Sequence, residues 1–237
     1  MKKNILFIMA LALLTLGFTS CEKESAGKTR ITYYADIQLA GESQMVVAKG
    51  TAYVEPGWTA TMAGQDVTDS VKVSGSVDTS TSGVYTLVYS MLNKDGFEAS
   101  VSRKVVVLDL TNPVEGFWAC TPSSYRENAN TGAQVAYGAS FEILLIGEGG
   151  GKFEVDDLLA GWYCQRADYG TNYAMQGEIQ IADDGTITML DSYVPGWGDS
   201  ADLLENGLYD ASTNTITYKL TYAGYLVFYV TLNKVEL

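Results

Sequence analysis

Three hydrophobic patterns follow one another along the chain. The first is one unbroken apolar run, Ile5 to Leu16, preceded by Lys2 and Lys3 and followed by the small residues Gly17, Thr19 and Ser20 before Cys21. It falls short of the roughly 20 residues that a membrane-spanning helix needs, and its basic start and small-residue exit fit an export signal over residues 1–20. No later run is long enough for a spanning helix. Residues 21–29 are polar and charged with nothing periodic to bury, so they read as a tether.

From residue 30 to 110 the pattern becomes short alternating runs: Ile31 to Leu39, Gln44 to Ala48, Val71 to Val73, Val84 to Met91 and Phe97 to Leu108. Alternation with a period of two marks half-buried strands, and helical periodicity is missing. Asn93-Lys94-Asp95-Gly96 is a hairpin signal, because Asp-Gly supplies the positive φ such a turn needs. The reading is all-β, with a β-sandwich over this first domain.

A linker around Leu110 to Pro113 leads to a second domain, residues 111–237, with the third pattern. Its runs are Phe117 to Tyr125, Gln134 to Ile146, Gly151 to Val155, Gly161 to Gln165, Tyr173 to Ala182, Thr186 to Asp191, Leu203 to Tyr209, Thr215 to Tyr222 and Tyr225 to Leu232. Close turns at Gly147 to Gly150, Asp183-Asp184-Gly185 and Asp210 to Asn214 join neighbours, which favours an antiparallel meander rolled into a β-barrel or a folded β-sheet.

Composition removes several kinds of chemistry. The chain has no histidine, which excludes a Ser-His-Asp triad and the common zinc sites, so no catalytic residue, metal site or cofactor is expected and the chain reads as non-enzymatic. Cleavage before Cys21 leaves 217 residues and, with Lys2 and Lys3 gone, moves the net charge from −13 to −15. Such a surface is a poor partner for nucleic acid. Gly147-Glu148-Gly149-Gly150-Gly151-Lys152 fails as a phosphate loop: its spacing is one residue short, Phe153 stands where Ser or Thr would hold magnesium, and a strand follows. Asp66, Asp69 and Asp78 lack the spacing of a calcium loop and read as turn formers. Asp156 and Asp157 are adjacent and would face opposite ways on a strand. Beyond Cys21 the thiols are Cys120 and Cys164; export permits a disulfide between them, and two reduced core residues beside Trp118 and Trp162 are the equal alternative.

Aromatic residues near loops of the second domain stand out: Trp162, Tyr163, Tyr169, Tyr173, Tyr193 and Trp197. Trp197 sits on a Pro195-Gly196 turn, where a flat ring could stack on a sugar or grip a peptide. The plain alternative is that these rings fill the ends of a barrel.

Several segments carry resemblances. Phe18-Thr19-Ser20-Cys21 resembles the lipobox of bacterial lipoproteins, in the relaxed form common in Bacteroidota, which implies acylation of Cys21 and a membrane anchor. The stretch from Val77 to Tyr89, with Tyr53-Val54-Glu55-Pro56-Gly57 and Gly64 to Thr68, resembles bacterial immunoglobulin-like domains. That resemblance makes Tyr85 the corner tyrosine, its ring in the core and its hydroxyl on nearby backbone, and puts Leu87 in the place of the core cysteine. Gly116-Phe117-Trp118 is similar to the opening of lipocalin-type barrels. The whole order resembles Bacteroidota surface lipoproteins that are similar to accessory lipoproteins of SusC/SusD-type importers. It implies an outer-membrane protein facing the cell exterior that captures a nutrient glycan or peptide beside such an importer. The alternative is an interaction module that packs on an envelope complex and holds no ligand of its own.

Overall fold

The computed structural model describes residues 31–237. The signal segment, Cys21 and the tether lie outside them.

The first domain is a two-sheet sandwich. Strands β1 (Asp36–Leu39), β3 (Trp58–Met62) and β4 (Gln65–Asp66) form one antiparallel sheet. The other runs β2 (Gln44–Ala48), β7 (Glu98–Leu108), β6 (Gly83–Leu92), β5 (Lys72–Ser74), with β2 parallel to β7. The alternation of Val84 to Met91 places Leu87 and Tyr89 inside, against Ile37 and Ala60. Two sequence expectations change here. Trp58–Met62, which lies outside the alternating runs, is the strand that pairs with β1. Tyr85 donates its hydroxyl to the Thr81 carbonyl at 2.9 Å as a corner tyrosine should, but its ring is half-buried, and the tyrosine wholly inside is Tyr89. Asp66 and Asp78 accept the backbone N–H groups of Thr68 and Ser80, the turn-forming work expected of them.

This small core also holds a charge. Arg103 of β7 is fully buried and pairs with Glu55 at 3.1 Å, while its guanidinium donates to the carbonyls of Ala40, Glu42 and Gly57. Tyr53 and Tyr89 donate their hydroxyls to Glu55. Burial pushes the Glu55 carboxyl up, but these two hydroxyls, the Gly57 N–H and Arg103 outweigh it and hold the group below its ordinary value.

The second domain is a closed antiparallel barrel of eight strands. β8 (Gly116–Cys120), β11 (Glu142–Gly149), β12 (Lys152–Val155), β13 (Gln176–Ile181), β14 (Thr186–Tyr193), β15 (Ala201–Asp210), β16 (Thr215–Tyr222) and β17 (Leu226–Lys234) follow one another round the ring, and β17 returns to β8. β9 (Tyr125–Asn128) and β10 (Ala133–Ala136) form a hairpin added beside β17. The run Phe117 to Tyr125 is therefore two strand pieces, and Gly161 to Gln165, expected as a strand, is a π-helical turn. Strict alternation along β16 sends Ile216, Tyr218, Leu220 and Tyr222 inward. The interior is filled by such side chains, and the void among them is about 10 Å³, too small for a ligand.

The two domains are docked. Val106 and Leu108 of β7 pack on Leu144 and Ile146 of β11 and on Phe117 of β8. This explains why Ile143 to Ile146 is apolar at every position: Ile143 and Leu145 belong to the barrel core, and Leu144 and Ile146 lie under the sandwich. The linker is fixed as well, since the Glu115 carboxylate accepts the Asp109 N–H at 3.0 Å and Trp118 Nε1 donates to the Val114 carbonyl at 2.8 Å.

Candidate functional site

The two ends of the barrel differ. One carries the tight hairpins β11–β12, β13–β14 and β15–β16, where Gly149, Gly150, Gly151 and Gly185 take positive φ. Together with Asn112 they line a cavity of about 580 Å³, whose walls also include Phe153, Ile181, Leu208 and Tyr209. The other end is closed by the excursion between β12 and β13, and this is where the aromatic residues gather.

Asp157 organises that excursion. Its carboxylate accepts the N–H groups of Leu159, Gly161 and Met175 at 2.8–2.9 Å and the Cys164 thiol at 3.1 Å. Burial raises its carboxyl, and those four donors oppose the rise. Leu158, Leu159 and Ala160 are thereby tucked into the barrel mouth, where Tyr218 and Tyr137 donate their hydroxyls to the carbonyls of Leu158 and Leu159. Gly161 then turns the chain with φ +84, and a Cβ there would sit 2.5 Å from the Cβ of Phe141. Ala160 and Asp168 also take positive φ. A π-turn flanked by strained residues is the kind of irregularity that proteins keep at binding sites.

Above this plug lies a sheet of rings. Trp197 is its centre, with Tyr163 at 4.7 Å, Tyr173 at 4.9 Å, Tyr222 at 6.2 Å and Tyr169 at 6.3 Å between ring centroids. Four separate segments supply them: the π-turn with its exit, the 3-10 turn Thr171–Tyr173, the β14–β15 connection and the end of β16. The Trp197 turn is held by a Val194 to Asp199 bridge and by the Gly196 N–H, which donates to the Asn172 carbonyl. Only glycine fits at 196, because a Cβ would lie 2.6 Å from the Tyr173 ring. Tyr222 donates its hydroxyl to both oxygens of Asp199 at 2.8 and 2.9 Å. Trp197 remains 41% exposed and Tyr169 56%, so the cluster is a surface rather than a pocket.

The sequence candidates thus divide. Trp197, Tyr169 and Tyr173 come together, joined by Tyr163 and Tyr222. Tyr193 is exposed but outside the ring cluster, with its hydroxyl directed towards Gly198. Trp162 is not an exposed contact: it is 3% exposed, set edge-on to Tyr137 and Phe228 in the barrel core. Cys120 and Cys164 are free thiols, not a bridge, since Cys164 is committed to Asp157 and Cys120 is buried in the barrel core, where its thiol is pushed up to about 11 by burial.

A second concavity, about 550 Å³, opens between the domains beside this end. Lys104 and Gln44 face Glu142, Asp156 and Gln176 across it. Desolvation in the cleft, with the charge of neighbouring Asp157, raises the Asp156 carboxyl to about 6, opposed by the Leu144 N–H that it accepts at 2.8 Å and by Lys104.

Residues 37–107 match the family model of the bacterial surface protein Ig-like domain, and residues 108–234 match one described as a C-terminal domain. Among solved structures, the lipoprotein BT2262 from Bacteroides thetaiotaomicron is 41% identical over 85% of this chain and 100% of that one, with a TM-score of 0.75. Two structures from Clostridium perfringens ZmpB also match. One holds an M60 catalytic domain with CBM51-1 and CBM51-2, at 12% identity over 84% of this chain and 21% of that one, TM-score 0.28. The other holds CBM51-2 in complex with GlcNAc and INT domains, at 14% identity over 83% and 43%, TM-score 0.27. No curated protein matches.

Proposed function

We propose, because the chain belongs to the family of the Bacteroides thetaiotaomicron lipoprotein BT2262, that it is a lipid-anchored binding protein of the outer membrane that captures a ligand on the ring cluster around Trp197. The observation that carries this reading is the convergence of Trp197, Tyr163, Tyr169 and Tyr173 from three separate turns onto one half-exposed surface. A core does not need three turns clamped to each other to leave a tryptophan partly in water. Large aromatic anchors are the usual seat of binding energy.

In this reading Cys21 is acylated, the immunoglobulin-like domain sets the barrel away from the membrane, and the ring surface meets a nutrient glycan or peptide beside a SusC/SusD-type importer, on the outside of the cell. No step of this needs catalysis, a metal or a cofactor. The interaction-module alternative is favoured by one feature, the exposed Leu190, Leu203 and Leu208 on strands β14 and β15.

Calorimetry of the full-length protein in detergent against host glycans, plant glycans and mixed peptides tests the proposal. Binding that Trp197→Ala weakens about thirtyfold or more supports capture. Co-purification with an importer and no ligand binding below millimolar would replace it with the interaction module.

A further inference from the structure

The barrel domain contains five basic side chains, Arg126, Lys152, Arg166, Lys219 and Lys234. The lysines are all engaged. Lys152 pairs with Glu148 and Glu178, Lys219 pairs with Glu205, and Lys234 donates to the carbonyls of Val114 and Glu115. The two arginines are different. Neither forms an ion pair among the described residues, in a chain with 28 acidic residues, and both converge on one ring: the Arg166 guanidinium lies 4.3 Å and that of Arg126 4.8 Å from the centroid of Trp162.

That ring adjoins the aromatic surface through Phe228, which meets both Trp162 and Tyr163. Trp162 precedes Tyr163 on the π-turn, and Tyr163 touches Trp197. Arg166 Nε donates to the Tyr137 carbonyl at 3.0 Å, which fixes the guanidinium. Arg126 Nε is buried with no hydrogen-bond partner. A buried guanidinium donor left unpaired is costly, and a planar fork of N–H groups is suited to a carboxylate.

We propose that the ligand captured on this surface carries a carboxylate, received by Arg126 and Arg166, and that it is an acidic sugar chain whose rings stack on Trp197 and its tyrosine neighbours. This rests on the capture reading above. A sugar is preferred to an acidic peptide because the backbone of these turns is already bonded internally: the N–H groups of Arg166, Ala167, Tyr169, Gly170, Tyr173, Gly196 and Trp197 all donate to carbonyls of the same turns or of their neighbours. Within these turns an extended peptide would find no free main-chain ladder, and where β14 and β15 part beyond Ile187 and Gly207 the exposed side chains are Leu190 and Leu203 rather than an arginine. What remains on offer is ring faces and guanidinium N–H groups.

The test uses full-length protein in detergent and three acidic probes, oligogalacturonate, hyaluronan oligosaccharides and sialyllactose, each beside its methyl-esterified counterpart, together with a glutamate oligomer. At least one acid should bind tenfold or more tightly than its ester. Arg166→Gln should weaken acid binding more than ester binding and so remove most of that preference, while Trp197→Ala should weaken acid and ester alike. Arg166→Lys keeps the charge without the fork and should restore only part of the preference. If acids and esters bind equally, the carboxylate assignment is overturned and the ring surface stands. If the glutamate oligomer binds more tightly than every sugar, the sugar class is overturned. If no probe binds or Trp197→Ala changes nothing, the capture reading itself falls. Should Arg166→Gln fail to fold, the acid-against-ester comparison on the native protein decides alone.

Discussion

The Cys164 thiol lies 3.1 Å from the Asp157 carboxylate and donates to it, completing a set of four donors around one buried group. The contact keeps Cys164 engaged and burial raises its thiol, so it is a poor nucleophile for exchange. Intact-mass analysis after alkylation in denaturant without reductant should find Cys120 and Cys164 both modified, and alkylation of the folded protein should leave them largely untouched.

Asp157 itself should be among the most sensitive positions in the barrel. Asp157→Ala leaves three buried N–H groups without an acceptor, and the expected loss is about 3–5 kcal/mol. Cys164→Ser, which keeps a donor, should cost less than about 1 kcal/mol. Denaturant unfolding of the two variants would check the order, and equal losses would contradict the assigned roles.

Trp162 and Trp197 should behave as opposites although both were legible as loop-side aromatics. Trp162→Ala removes a buried ring and should cost about 3–5 kcal/mol. Trp197→Ala should leave the melting temperature within a few degrees and act on ligand binding. Thermal melts of the two variants are sufficient.

The buried pair in the sandwich gives a fourth expectation. Arg103→Met strands Glu55, and breaking such a pair from one side costs about 3–5 kcal/mol. Trp58 is the sole tryptophan of that domain, so its fluorescence reports the loss. Replacing both partners with apolar residues should recover part of it.

Asp156 supplies a pH dependence with a defined sign. Its folded value of about 6 lies above the ordinary 3.8, so between these values the folded chain holds a proton that the unfolded chain has released. Stability therefore falls as pH rises through roughly 4 to 6 and levels off above. Asp156→Asn removes this slope, and its melting temperature should gain on the native protein between pH 4 and pH 7. A constant difference across that range would rule out the assignment.

What could be read from the sequence was whatever depends on neighbours in the chain. The hairpins at Asn93 to Gly96, Gly149 to Gly151 and Asp183 to Gly185 follow from glycine at positive φ, and β16 follows from its own alternation. Trp58–Met62 was missed because Thr, Ala and Thr between Trp58 and Met62 give a weak apolar signal; the strand exists because β1 pairs with it. Gly161 to Gln165 reads as a strand by its residues, yet the Asp157 carboxylate bends it through bonds that no period reveals. The fate of Trp162 was equally hidden, since Tyr137 and Phe228 reach it from 25 residues before and 66 after. The scarcity of arginine in the second domain, which has two, is a signal that the sequence itself carries.

Strand β17 pairs along its length with β16, through Leu226–Tyr229 with β9 and through Leu232–Lys234 with β8. For a chain delivered N-terminus first, from a ribosome or through a translocon, β8 to β16 can form no more than a curled sheet with two raw edges. The ring shuts when residues 226–234 emerge. A product stalled before residue 226 would present those edges to its neighbours, and chaperone dependence of this domain should track the passage of its final nine-residue strand.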